Sequence, residues 1–160
     1  MATAPTPHIG IDKAGRAKVG KELGKVLADS YSLYLKTHNY HWNVKGPHFH
    51  SLHTLFEEQY TELAVAVDDL AERIRALGET APGSYSAFGK MTKIKEAPDT
   101  PPEALDMAED LAQAHETVAA TCRELMPIAQ KVDDEVTVDM MIGRMTVHDK
   151  AAWMLRSFAA

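Results

Sequence analysis

The sequence predicts an all-α protein, an up-down bundle of four long helices with one long connection in its middle. Three observations carry this. Apolar residues recur at alternating threes and fours through most of the chain, the spacing of one helix face. No stretch alternates with the period of two that a half-buried strand requires. A segment rich in glycine and proline, Gly78 to Thr100, divides the helical pattern into two pairs. With 160 residues, 45% of them hydrophobic and 25% charged, the chain has the size and composition of one ordinary domain with a real core.

The first helix is expected from an N-cap at Asp12 to about Val44, with Val19, Leu23, Val26, Leu27, Leu33 and Tyr34 among its apolar positions. Gly46 and Pro47 supply its stop. The second is expected from about Pro47 to Leu77, on a stripe of Phe49, Leu52, Phe56, Tyr60, Leu63, Val67, Leu70 and Ile74, with Gly78 ending it. The connection that follows has the length of a crossover along a bundle, and Ser84 to Lys93 is expected to form a short helix inside it. Thr100-Pro101-Pro102-Glu103 reads as a capping box with proline at the first helical position. The third helix then carries Leu105, Ala108, Leu111, His115, Val118, Cys122 and Leu125, and Pro127 is expected to end or kink it near Met126. The fourth is expected from Asp133 and Asp134 to about Ser157. One long middle connection between two short ones is the ferritin-like arrangement, and it disfavours the cytokine type with two crossovers. Residues 1–12 read as a tail and 13–158 as the bundle domain.

Several classes of function fall away at this stage. The longest apolar runs are a few residues, too short for a membrane span. Residues 1–12 hold no Lys or Arg and no apolar core, so no signal peptide is expected. Cys122 is the only cysteine, which excludes an intrachain disulfide and fits a reducing cytosol. The net charge of −6 gives no general attraction to nucleic acid but favours concentration of cations.

The chemistry concentrates in histidines and carboxylates. His38, His41, His48, His50 and His53 fall within one short stretch. On the second helix His53 and Glu57 are four apart, as are Asp68 and Glu72, so each pair shares one helix face. Imidazole with carboxylate suits iron(II) or zinc. His53 and Asp68 are fifteen residues apart on one helix, about 22 Å, and cannot reach the same ion within one chain. Two second helices running antiparallel across a two-fold axis bring the His53 end of one to the Asp68 end of the other, giving two equivalent sites per dimer. The ordinary di-iron bundle centre needs Glu-x-x-His pairs, and this chain has none: residues 50, 112 and 145 precede His53, His115 and His148 as His, Ala and Met. His115 reads as a satisfied core histidine, and His148, next to Asp149, is left unassigned, with a channel or solvent open to it.

Lys36-Thr37-His38-Asn39-Tyr40-His41-Trp42-Asn43-Val44, then Gly46, Phe49, Leu52-His53, Phe56-Glu57 and Asp68-x-x-x-Glu72-Arg73, closely resemble the Dps family, the ferritin-like mini-ferritins. The resemblance covers all four helices. It implies a shell of twelve identical subunits that oxidises iron(II), usually with hydrogen peroxide, stores the ferric mineral and so protects DNA. It assigns His41, His53 and Glu57 as metal ligands from one subunit, and Asp68 and Glu72 from its two-fold mate. Position 57 is often Asp in the family. Trp42 and Trp153 match the family's aromatic residues near the site and are expected electron donors. Asp134, Glu135 and Asp139, early in the fourth helix, are the candidate lining of acidic three-fold pores; the alternative is that Asp133 and Asp134 cap that helix, which is expected of at least one of them. A bacterial cytoplasm, with possible nucleoid association, is the implied location.

DNA binding is expected to be weak. Lys13, Arg16, Lys18, Lys21 and Lys25 cluster on the first helix, but they read as the solvated face of an amphipathic helix. The competing reading is a DNA-compacting or zinc-binding cage with little ferroxidase activity; zinc accepts the same ligands.

Overall fold

The structure, a computed structural model, describes residues 6–158. Within them the chain forms five helices: α1 (Lys13–Asn43), α2 (Phe49–Ala76), a short α3 (Tyr85–Met91), α4 (Ala104–Gln130) and α5 (Glu135–Arg156). No strand occurs among the described residues. Helices α1 and α2 pack as one pair and α4 and α5 as another, with α1 against α4 joining them. The four long helices and the crossover carrying α3 are the expected bundle. Residues 1–5 of the tail, and Ala159 and Ala160, lie outside the described residues.

The core is a stack of aliphatic layers. Leu23, Val26, Leu33, Leu52, Phe56, Leu63, Leu70, Leu111, Val118, Met141 and Leu155 are fully buried, and each contributes about 1.5–3 kcal/mol relative to exposure. Helix starts follow local chemistry. Asp12 caps α1, its Oδ1 accepting from the Gly15 N–H at 2.6 Å. Asp134 caps α5, accepting from the Thr137 N–H at 3.0 Å. Gly78 adopts φ +87 just past α2, where a Cβ would meet Pro7 at 2.9 Å, so glycine answers both the turn and the close approach. The crossover is anchored by a buried carboxylate on α1. Asp29 accepts from the Thr92 hydroxyl (2.9 Å), the Lys93 N–H (2.6 Å) and the Thr121 hydroxyl of α4 (2.7 Å).

Three boundaries differ from expectation. Helix α2 begins at Phe49 rather than Pro47, after a turn in which Gly46 takes φ +94. Helix α4 begins at Ala104, capped by the Glu103 backbone without a side-chain bond, so Thr100 to Glu103 is not a capping box. The reason is Pro102, which drives Pro101 out of the helical region and postpones the helix. Of the two outcomes expected at Pro127, an end is ruled out, since α4 continues to Gln130. Its ring lies on the exposed side, and the Lys131 N–H still closes onto the Pro127 carbonyl at 3.2 Å.

Candidate metal centre

The end of α1 and the start of α2 place two imidazoles face to face. His41 and His53 stack with ring centroids 3.7 Å apart and planes 19° apart. Each is held by the other's backbone: His41 Nδ1 donates to the His53 carbonyl at 2.8 Å, and His53 Nδ1 to the His41 carbonyl at 2.8 Å. A carbonyl oxygen only accepts, so in both rings the proton resides on Nδ1. Both Nε2 atoms therefore keep a free lone pair. This is the arrangement by which a protein fixes the tautomer of a metal-binding histidine.

Aromatic rings support the pair. Phe49 stacks on His53 at 4.9 Å, and Tyr60 meets His41 edge-on at 5.1 Å. Tyr60 also stacks on His38 at 4.2 Å, and His38 on Trp42 at 4.0 Å. Burial, and then the neighbouring His41, lower the pKa of His38, which favours the neutral ring beside the site. The sequence marked Tyr60 only as an apolar stripe residue; its part in holding both His38 and His41 needed three dimensions.

Glu57 lies one turn beyond His53 on the exposed side of α2. Asp68 and Glu72 are also exposed, on the far half of the same unbroken helix, about 22 Å and about 28 Å along it from His53. One chain thus brings His41 and His53 together; Glu57, one turn along α2, does not complete a group of three ligands with them among the described residues, and Asp68 and Glu72 stand apart. Asp68 borders an open groove of about 960 Å³ whose walls include Leu27, Tyr31, Val65 and Phe88. Of the bordering residues, Val65 is 62% exposed and Tyr85 78%. Trp42 is 60% exposed near the histidines, and Trp153 is 61% exposed on α5 in a second groove with His50 and Leu55 of α2.

The three acidic pore candidates divide. Glu135 and Asp139 are exposed on α5. Asp134 is 1% exposed and is taken up by the Thr137 cap and by Arg73 of α2, whose guanidinium lies 2.5 Å away. A carboxylate so enclosed does not line a channel, and Asp134 is removed from that set. His148 is likewise fully buried and faces neither channel nor solvent. It bonds His115 of α4, Nδ1 to Nδ1 at 2.9 Å. His115 is a core histidine, 2% exposed, but only half satisfied, because its Nε2 has no partner. The basic cluster on α1 also shrinks. Arg16 is buried, its guanidinium bonding the Leu77 and Ile11 carbonyls, and Lys25 pairs with Glu22 at 2.6 Å.

Four long helices with one long crossover between the two pairs are the ferritin-like arrangement. Comparison with known proteins agrees. The model of the ferritin-like domain matches residues 20–160. A "DNA protection during starvation protein 2" of Bacillus anthracis is 41% identical over 138 residues, covering 85% of this chain and 92% of that one. The crystal structure of Dps from Staphylococcus aureus superimposes with a TM-score of 0.85 at 39% identity, over 89% of this chain and 95% of that one. A Dps protein from Vibrio cholerae O1, described as one of the ferritin-like diiron-carboxylate proteins, gives 0.91 at 30% identity over 99% and 100%. The chain belongs to the Dps family.

Proposed function

We propose that this protein is an iron-storing and iron-detoxifying shell of twelve subunits. It oxidises iron(II) with hydrogen peroxide at centres shared between two-fold related chains, and so protects DNA. The observation that carries the reading is the reciprocal lock on His41 and His53, which leaves two Nε2 lone pairs ready for a metal and, among the described residues of one chain, no complete ligand set around them. The missing carboxylates are on the same helix. An antiparallel α2 pair with its axis beside Tyr60 and Thr61 sets His53 opposite the partner's Asp68 and Phe49 opposite the partner's Glu72. It also buries Val65 and the groove beside Asp68, which a lone chain leaves in water.

In this reading His41, His53 and Glu57 bind ferrous iron with the partner's Asp68 and the partner's Glu72. Anionic oxygen donors stabilise the ferric state over the ferrous one and so ease electron loss. Peroxide takes one electron from each of two ferrous ions and leaves as water, which avoids release of a hydroxyl radical. Where only one ferrous ion is bound, Trp42, packed on His38, and Trp153 are the candidate donors of the second electron that peroxide needs. Glu135 and Asp139 are the candidate lining of the entry pores, and the ferric product is stored as mineral within the shell. The remaining exposed lysines of the α1 cluster, Lys13, Lys18 and Lys21, offer DNA a small patch on an acidic chain, so contact with it is weak.

Anaerobic ferrous titration followed by peroxide, read by ferric absorbance, tests this. Asp68→Ala is expected to slow oxidation at least about tenfold while the shell stays assembled. An unchanged rate would remove Asp68 from the centre. Zinc accepts the same donors and serves as the competitor in the assay. Tight zinc binding without peroxide-driven oxidation would favour the zinc-cage reading.

A further inference from the structure

Ferritin-like di-iron bundles hold their metal inside the bundle, on carboxylates and Glu-x-x-His pairs that project inward from four helices. This bundle carries a different set, buried on α4 and α5 and reaching out to a partly exposed carboxylate on α2. Arg144 of α5 reaches Glu62 of α2, and Arg73 of α2 reaches Asp134 and Thr137, so α2 and α5 run antiparallel. Glu62, Arg144, His148 and His115 therefore share one level at mid-height, with Gln59 one turn from Glu62 on the His148 side.

At this level a single guanidinium claims the ligating lone pairs. Arg144 is 8% exposed and forms a two-pronged ion pair with Glu62, Nη1 on one carboxylate oxygen and Nη2 on the other at 3.1 Å. Nη2 also donates to His148 Nε2 at 3.1 Å. Since a guanidinium only donates, His148 Nε2 accepts, and the proton of that ring is on Nδ1. That proton is given to His115 Nδ1, which leaves the His115 proton on Nε2 without an acceptor. Both amide atoms of Gln59, itself 8% exposed, are also unpartnered.

The charge balance explains what such a layer does. Its one carboxylate is already neutralised by its one guanidinium. A pair of ferrous ions brings about four positive charges, which di-iron bundles meet with about four carboxylates. A divalent ion placed between the buried Arg144 and His148 would add charge on the inner side of the layer, while its one carboxylate, Glu62, whose side chain is 39% exposed, is already paired.

We infer that Arg144 is a resident cation that closes the bundle interior to metal, and that Glu62 and His148 form a latent divalent-metal site which the guanidinium occupies. Gln59, one turn from Glu62 on α2, carries a further buried amide oxygen without a partner. The chain is then left with the subunit interface as its place for ferrous iron. The latent site shares no residue with the proposed ferroxidase centre, and its test uses cobalt(II) binding rather than oxidation, so the two readings fail separately.

The test compares shells carrying Asp68→Ala and Glu72→Ala, which cripple the interface centre, with and without Arg144→Met. Methionine keeps most of the stem volume and removes the charge and all five donors. Equilibrium dialysis counts bound cobalt(II), and its visible ligand-field absorption reports imidazole coordination. The expected result is about one additional cobalt per chain in the Arg144→Met shell. That gain should be absent in Arg144→Lys, which retains a cation, and lost again when His148→Leu is added. A folded Arg144→Met shell with no added cobalt would overturn the inference, as would added cobalt that survives loss of His148. If Arg144→Met does not fold alone, recovery of helical circular dichroism with cobalt or zinc supports the latent site. Failure to recover in saturating metal counts against it.

Discussion

Acid should weaken this bundle through its two buried histidines. Burial first, and the Arg144 guanidinium second, push His115 down to about 3 from its ordinary 6.5. Burial, then His115 and Arg144, hold His148 well below 6.5. Unfolded, each imidazole takes a proton near 6.5; folded, His115 does not until about 3. Between those values the unfolded chain binds more protons, so stability falls as pH falls below 6.5. At about pH 4.5 the loss is about 3 kcal/mol from His115 alone, at about 1.4 kcal/mol per pH unit, and His148 adds to it. That is a sizeable share of the roughly 5–15 kcal/mol that holds a domain together. The perturbation is the double variant His115→Leu/His148→Leu, which leaves Arg144 bonded to Glu62. Urea unfolding followed by far-ultraviolet circular dichroism, from about pH 7 to about pH 4.5 at fixed protein concentration, gives the slope for each protein. Carboxylates elsewhere titrate alike in both and cancel in the difference. The variant's slope below about pH 6 should be shallower by about 1.4 kcal/mol per pH unit for each histidine removed. Parallel slopes would show that the pair is not kept neutral by the core.

Two other outcomes follow from particular contacts. Asp134→Ala removes the α5 cap and leaves Arg73 with a half-buried, unpaired charge, so unfolding free energy should drop by about 3–5 kcal/mol; a loss under about 1 kcal/mol would restore Asp134 as a surface acid. Any gel-shift of duplex DNA at low salt should vanish by about 0.2 M salt and weaken with Lys18→Ala/Lys21→Ala, while retardation that ignores salt would exclude phosphate contacts.

The fold was largely legible because it is written in local spacing. The alternation of threes and fours marked the α2 stripe from Leu52 to Ile74, and Asp12 and Gly78 marked ends whose chemistry is carried by one residue each. The misjudged boundaries turn on neighbours: Pro102 acts on Pro101, and Pro127 is tolerated because its side of α4 faces water. In the site, helix arithmetic alone separated His53 from Asp68. It did not reveal that each histidine is locked by the other's carbonyl, since that bond spans the α1–α2 turn. Asp134 stayed open between pore and cap for a related reason. An acidic residue at a helix start looks the same in sequence whether it lines a pore or caps a helix, and only Arg73, arriving from α2, decides between them. His148, beside the exposed Asp149, gave no local sign of its burial against His115.

The claim that two chains share one metal centre is tested most directly by mixing damaged subunits. A His53→Ala chain and an Asp68→Ala chain should each form inactive shells. In a mixed two-fold dimer, one of the two sites receives both defects and the other receives neither. Co-assembly of equal amounts should therefore restore about a quarter of the wild-type number of centres, read as peroxide-driven ferrous oxidation. Mixed shells no more active than either parent would mean that the histidines and the distant carboxylates do not serve the same ion.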